Sequence, residues 1–226
     1  MTLSERVVDT PHGPARLVTN RASRAIGTLV LGHGAGGGID GRDLEALATH
    51  LPRHGFTVVR VEQPWKVAGR KIAPAGKVLD ECFVAASDKL RVRTPLVVGG
   101  RSAGARSAVR VGRRLGAVAC LALAFPLHPP GRPERSRLPE LREARLPTLV
   151  VQGDRDTMGR PEEFPDDLEM LVVPGADHGF KVPARAEVDQ AAAMDLLVQG
   201  TLEWLVREVI GAGDPAGPRR GNQGVG

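Results

Sequence analysis

The 226 residues are 42% hydrophobic and 25% charged, the proportions of one globular domain of ordinary to large size rather than of a wholly disordered chain. No apolar run reaches the roughly 18–20 residues of a membrane-spanning helix, and Met1 to Val8 lacks the apolar core of a secretory leader, so a soluble cytoplasmic protein is expected. The net charge of +5 is spread among interspersed acids, and with 3% aromatic residues and no Tyr the chain has few platforms for stacking bases; nucleic acid is not an expected partner.

In chain order, short alternating stretches at Arg6–Asp9 and Ala15–Thr19, divided by Pro11, Gly13 and Pro14, predict a hairpin. Ile26–Leu31 reads as a buried strand running into a glycine-rich segment, Gly32 to Gly38. Asp43–His54 has helical spacing and stops at Gly55, ahead of a strand at Phe56–Val61. Gln63–Gly76 reads as a loop, Val78–Val92 as a helix and Pro95–Gly99 as a strand. Helix is expected again over Ser102–Leu115 and strand over Ala117–Phe125. The proline- and arginine-rich stretch Pro126–Pro147 leaves room for one short helix near Pro139–Ala144. Strands follow at Thr148–Gln152 and Leu168–Val173, then a long amphipathic helix over Ala184–Ile210. Strands alternating with helices predict an α/β protein with a mainly parallel sheet. One domain over residues 1–210 is expected, with a disordered tail over 211–226. Cys82 and Cys120 stand in apolar surroundings and read as buried free thiols.

The segment richest in chemistry is Gly100-Arg101-Ser102-Ala103-Gly104, a G-x-S-x-G set between a predicted buried strand and a predicted helix. A serine at such a turn sits in strained backbone, needs small neighbours, and lies at a helix N-terminus that favours developing negative charge. A serine hydroxyl is a poor nucleophile at neutral pH and needs a base, which in turn needs an orienting carboxylate. In the strand–turn–helix version of this chemistry the order is Ser, acid, His. Downstream of Ser102 the histidines are His128 and His178, and His178 follows a strand at Asp177-His178-Gly179. The acid candidates are Asp156 and Asp154 in Gly153-Asp154-Arg155-Asp156, with Asp177 a third. Asp156 is preferred because it lies deeper in its loop, and Asp177 reads better as a turn residue.

A tetrahedral intermediate also needs donors aimed at its oxyanion. The N–H of Ala103, just after the serine, is one candidate. The Gly32–Gly38 loop supplies the other, with Ala35 N–H the expected donor and His33 a brace. Arg101 and Trp65 are candidates to line a substrate pocket, although an ion pair for Arg101 and loop packing for Trp65 serve as well. A phosphate loop is rejected because Ala105-Arg106-Ser107 stands where Gly-Lys-Ser would be required. No cofactor and no catalytic metal is called for.

These segments resemble the α/β-hydrolase superfamily over most of residues 5–210. More narrowly the chain is similar to the small uncapped KANL/Tex-type domains, relatives of dienelactone hydrolases. The resemblance rests on Leu31 to Gly37, Gly99 to Arg106, Phe125 to Gly131, Val151 to Asp156, and Asp177-His178. It implies an α/β-hydrolase fold, a mainly parallel sheet flanked by helices with no large cap domain. It also implies nucleophile Ser102, acid Asp156, base His178 and oxyanion donors Ala35 and Ala103. Ala103 and Ala105 depart from the Met and Gly frequent in such relatives, and Phe125–Gly131 has no assigned chemical role. The expected activity is hydrolysis of a carboxylic ester or thioester of a small molecule, with neither membrane nor nucleic acid as partner. The competing expectation is a catalytically silent interaction module on the same scaffold.

Overall fold

A computed structural model describes residues 2–212. Gly211 and Ala212, the first two residues of the tail expected over 211–226, belong instead to the last helix, and the rest of that tail lies outside the described residues. The hairpin is longer than its alternating core suggests, with β1 (Thr2–Thr10) paired antiparallel to β2 (Gly13–Arg21). Then come β3 (Gly27–Gly32), α1 (Arg42–His50), β4 (Phe56–Glu62), α2 (Pro64–Val67), α3 (Gly76–Asp88) and β5 (Leu96–Arg101). The second half runs α4 (Ala103–Val111), β6 (Ala119–Leu123), α5 (Leu138–Glu143), β7 (Thr148–Gly153), β8 (Glu169–Val173) and α6 (Gln190–Ala212).

All eight strands form one sheet in the order β1-β2-β4-β3-β5-β6-β7-β8. β2 meets β4 antiparallel, and every pairing from β4 to β8 is parallel. The apolar runs are continuous because the central strands are buried on both faces. Leu29, Leu31, Leu121 and Val151 point to one face, where α1 and α6 cover them with Leu44, Leu47, Leu197 and Trp204. Val30, Val98, Cys120 and Val150 point to the other, against Phe83 of α3, Ala108 of α4 and Leu141 of α5. Both cysteines are free and buried, and burial pushes the Cys120 thiol up to about 12, so its nucleophilic thiolate is suppressed.

Several boundaries differ from the sequence expectation. Helix α4 ends at Val111 rather than Leu115, the chain closing in turns from Gly112 to Gly116 at φ 70°. Strand β6 is two residues shorter at each end than the expected Ala117–Phe125. The last helix starts at Gln190, not Ala184, because Pro183 opens a turn to Ala186 and Asp189 caps the helix through Ala192 N–H at 2.8 Å. Helix α3 ends at Asp88 rather than Val92, its last turn tightened by the bond from Leu90 N–H to the Ser87 carbonyl. The expected loop Gln63–Gly76 contains α2, with Pro64 in its first turn. Between β6 and β7 only α5 is helical, so no large cap domain covers the sheet edge.

The chain leaves β3 for β4 on one side and later returns to β5 on the other. The loops at the carboxyl ends of β3 and β5 therefore diverge and leave a crevice between them.

Candidate active site

Ser102 stands between β5 and α4 with φ 54° and ψ −110°, a backbone region that an L-residue occupies only under constraint. Its N–H is held by the Leu123 carbonyl at 2.9 Å. The flanking glycines are steric requirements. A Cβ at Gly100 would lie 2.5 Å from the Gly32 carbonyl oxygen and 2.7 Å from the Gly104 carbonyl carbon, and one at Gly104 would collide with the Gly32 carbonyl. Backbone packs directly on backbone here, which lets β3, β5 and α4 converge behind the serine.

The imidazole comes from the loop after β8. Asp177 Oδ1 accepts from Gly179 N–H at 2.8 Å and Lys181 N–H at 2.9 Å, and Phe180, at φ 53°, buries its ring. That tight turn aims His178 back across the sheet edge. His178 Nε2 lies 2.9 Å from Ser102 Oγ, and His178 Nδ1 lies 2.7 Å from Asp156 Oδ2.

Asp156 is 0% exposed, and three donors surround its carboxylate. His178 Nδ1 and Gln152 Nε2 (2.9 Å) donate to Oδ2, and Met158 N–H (2.8 Å) donates to Oδ1. A carboxylate only accepts, so the imidazole proton sits on Nδ1 and Nε2 is left as the acceptor that faces Ser102 Oγ. Thus Ser102, His178 and Asp156 are brought together. Asp154 is exposed, and Asp177 is occupied in its own turn.

The Gly32–Gly38 loop lies beside Ser102, since a Cβ at Gly34 would be 3.4 Å from Ser102 Cβ. Ala103 is the first residue of α4, so its N–H has no carbonyl a turn earlier in the helix. Neither this N–H nor that of Ala35 makes a hydrogen bond among the described residues. His33 is buried, accepts from Gln63 N–H at Nε2 (3.1 Å) and therefore donates from Nδ1 to the Gly34 carbonyl (2.9 Å). Burial lowers its pKa and keeps it neutral. Trp65 packs on His33 with ring centroids 5.5 Å apart. It lines a separate pocket beside Pro14 and Ile72, away from the cleft around His178.

That cleft, of about 710 Å³, is bordered by Arg42, Arg101, Arg155 and Lys181 together with Asp40, Glu45 and Asp177. Arg101 pairs with the buried Asp43, with Nη1 3.6 Å from Oδ1. Asp43 is 0% exposed and neither carboxylate oxygen is hydrogen-bonded. Burial pushes its pKa above the ordinary range, and Arg101 pulls it only part of the way back.

Two contributions were not read from the sequence. Gln152, at the end of β7 and 0% exposed, also gives its Nε2 to the Gly159 carbonyl at 2.7 Å; a polar side chain closing an apolar strand was the available signal. The second is the Phe125–Gly131 segment, which props the loop that carries Asp156. His128 N–H donates to the Met158 carbonyl at 3.0 Å, and its ring lies between the Pro129 carbonyl (Nδ1, 2.9 Å) and Glu163 Oε2 (Nε2, 2.8 Å). Both partners accept, so this geometry favours the imidazolium, which donates from both ring nitrogens. The Pro129 carbonyl, with Glu163, raises its pKa.

The alpha/beta hydrolase domain family matches residues 25–206. The chain belongs to that family. Among solved structures, it is similar to an α/β serine hydrolase without lid from Xanthomonas campestris: 20% identity, 96% of this chain and 98% of that one covered, TM-score 0.69. A serine hydrolase homologue from Coxiella burnetii has 19% identity, coverage of 88% and 98%, and TM-score 0.70. Dienelactone hydrolase from Anabaena variabilis has 17% identity, coverage of 92% and 98%, and TM-score 0.69. At such identities these neighbours speak for the fold, and function has to be argued from the site. Among the described residues no helix is long and apolar enough to cross a membrane, and no cluster of three or more His, Cys, Asp or Glu could hold a metal ion.

Proposed function

We propose that this α/β hydrolase is a serine hydrolase of carboxylic esters or thioesters of a small substrate. The observation that carries the proposal is the unbroken series Ser102 Oγ, His178 Nε2, His178 Nδ1, Asp156 Oδ2, with contacts of 2.9 and 2.7 Å, at a serine in strained backbone.

In this reading Ser102 Oγ attacks the carbonyl carbon while its proton passes to His178 Nε2. The carbonyl π electrons move onto oxygen, and that oxyanion is met by the N–H groups of Ala35 and Ala103. Collapse of the intermediate breaks the bond to the alkoxy or thiol group, which leaves with the proton from Nε2. Water, deprotonated by the same nitrogen, then attacks the acyl-serine and releases the acid. Asp156 does not take the proton; it fixes the ring and stabilises the imidazolium.

Arg101 borders the cleft, but its charge is shared with Asp43, and the cations and carboxylates around the cleft nearly balance. A small uncharged ester fits that balance better than a strongly acidic acyl group. Turnover of p-nitrophenyl acetate and butyrate tests the reading. The wild type should hydrolyse at least one, and Ser102→Ala should lose about 10³-fold or more in kcat. Unchanged turnover in Ser102→Ala would overturn it.

A further inference from the structure

A further cavity, of about 530 Å³, lies at the opposite edge of the sheet from Ser102, where the parallel strands β3, β4 and β5 begin. Strand alternation builds its floor. Ser4 and Arg6 of β1, Thr19 and Arg21 of β2, Thr57 of β4 and Thr28 of β3 face it, whereas Glu5 turns to the other side and pairs with Arg16 at 3.1 Å. Helix α3 stops at Asp88, and beyond its end the connector Lys89 to Thr94 forms the wall, over a floor in which Thr28 and Thr57 are themselves buried.

The chemistry of the lining is one-sided. Arg6, Arg21, Lys89, Arg91 and Arg93 all border the cavity, and no Asp or Glu does. Arg6 spends one N–H on the Lys89 carbonyl at 2.6 Å. The side chains of the other four make no hydrogen bond or ion pair among the described residues. The hydroxyls add donors. Thr28 and Thr94 share one hydrogen bond at 2.9 Å, which leaves one of their two protons free. Thr57 accepts from Ala22 N–H at 3.2 Å and keeps its own proton to donate. Five like charges around one recess repel each other unless an anion joins them. Guanidinium forks and hydroxyls are the donors that phosphate oxygens accept. No aromatic side chain lines the recess, so it offers no face for a nucleobase.

We propose that this cavity binds a small anion carrying two or more linked phosphate groups, at a site about 20 Å from the nucleophile by the length of β5. It does not depend on the hydrolase reading. The test is calorimetric titration of the full chain with inorganic pyrophosphate and with monophosphate, at about 20 mM and about 200 mM salt. Two charge-matched doubles are compared, R91E/R93E in the wall and R113E/R114E on an exposed surface elsewhere. The wild type should bind pyrophosphate with Kd below about 1 mM at low salt, more tightly than monophosphate. Affinity should fall about tenfold or more in R91E/R93E and stay within about twofold in R113E/R114E. R91Q alone, which removes one charge without reversal, should give an intermediate loss if the double folds poorly. Absent binding at about 10 mM pyrophosphate, or equal loss in both doubles, would overturn the site. So would a 20-base-pair duplex displacing pyrophosphate at lower concentration, since it would make this face a nucleic-acid surface.

Discussion

Asp156 and Asp43 are both fully buried carboxylates, and their surroundings give them opposite consequences. Asp156 has three hydrogen-bond donors, whereas Asp43 has Arg101 at 3.6 Å as its counter-charge, helped by the backbone N–H groups of Asp43 and Leu44. A carboxyl whose folded pKa is raised, as burial raises that of Asp43, costs stability as pH rises above its unfolded value. Asp43→Asn should therefore hold or raise the urea midpoint at neutral pH. Arg101→Ala should lower stability by about 1–3 kcal/mol, because the buried carboxyl loses its one counter-charge. Gln152 has a different part, orienting Asp156. Gln152→Leu should lower kcat for a p-nitrophenyl ester about tenfold or more with KM within about twofold, since only the geometry of the base changes. Ser102 and His178 were legible because motif and chain order constrain them. The choice among Asp156, Asp154 and Asp177 was weaker, because three carboxylates in two short loops differ only in where each turn points them. Asp43 was invisible as a buried charge, since an acid in the first turn of a helix is ordinarily a solvated one.

At the scale of elements, the His128–Glu163 contact couples a proline-rich segment to the loop that carries Asp156. The Pro129 carbonyl and Glu163 raise the His128 pKa, and the Arg160 N–H, with His128, lowers that of Glu163. A raised histidine contributes stability below its unfolded pKa and loses it as pH rises through the folded value. A lowered carboxyl contributes above its unfolded pKa and loses it as pH falls through the folded value. The clamp is complete only between these limits. From about pH 6 to about pH 9 the wild type should lose thermal midpoint that His128→Gln does not lose, as read by calorimetry. Strands were legible within a residue or two wherever both faces are buried, because Val and Leu then run without interruption. Helix ends were less so. The Asp189 cap and the tightened end of α3 are local hydrogen bonds, and apolar spacing such as Val188 continues past them.

Across the whole molecule, the sheet order puts the loops after β3, β5, β7 and β8 along one edge, so residues 102, 156 and 178 meet although far apart in sequence. The strain agrees with that placement. Ser102, Ala124 and Phe180, three of the four non-glycine residues with positive φ among those described, lie in segments following parallel strands. Gly104→Val should give insoluble or unfolded protein, because its side chain would have to displace the Gly32 backbone, and solubility with far-UV dichroism checks this. The fold class could be read from strand–helix alternation, but the pairing of β2 with β4 could not, since nothing local specifies which edge a hairpin joins. The proposed hydrolase activity requires that Ser102 be a nucleophile activated by His178. Intact-mass and peptide analysis after reaction with a fluorophosphonate tests it most directly. One adduct on the peptide containing Ser102 is expected, absent in Ser102→Ala and formed at least about a hundredfold more slowly in His178→Ala. Equal labelling of wild type and Ser102→Ala would contradict it.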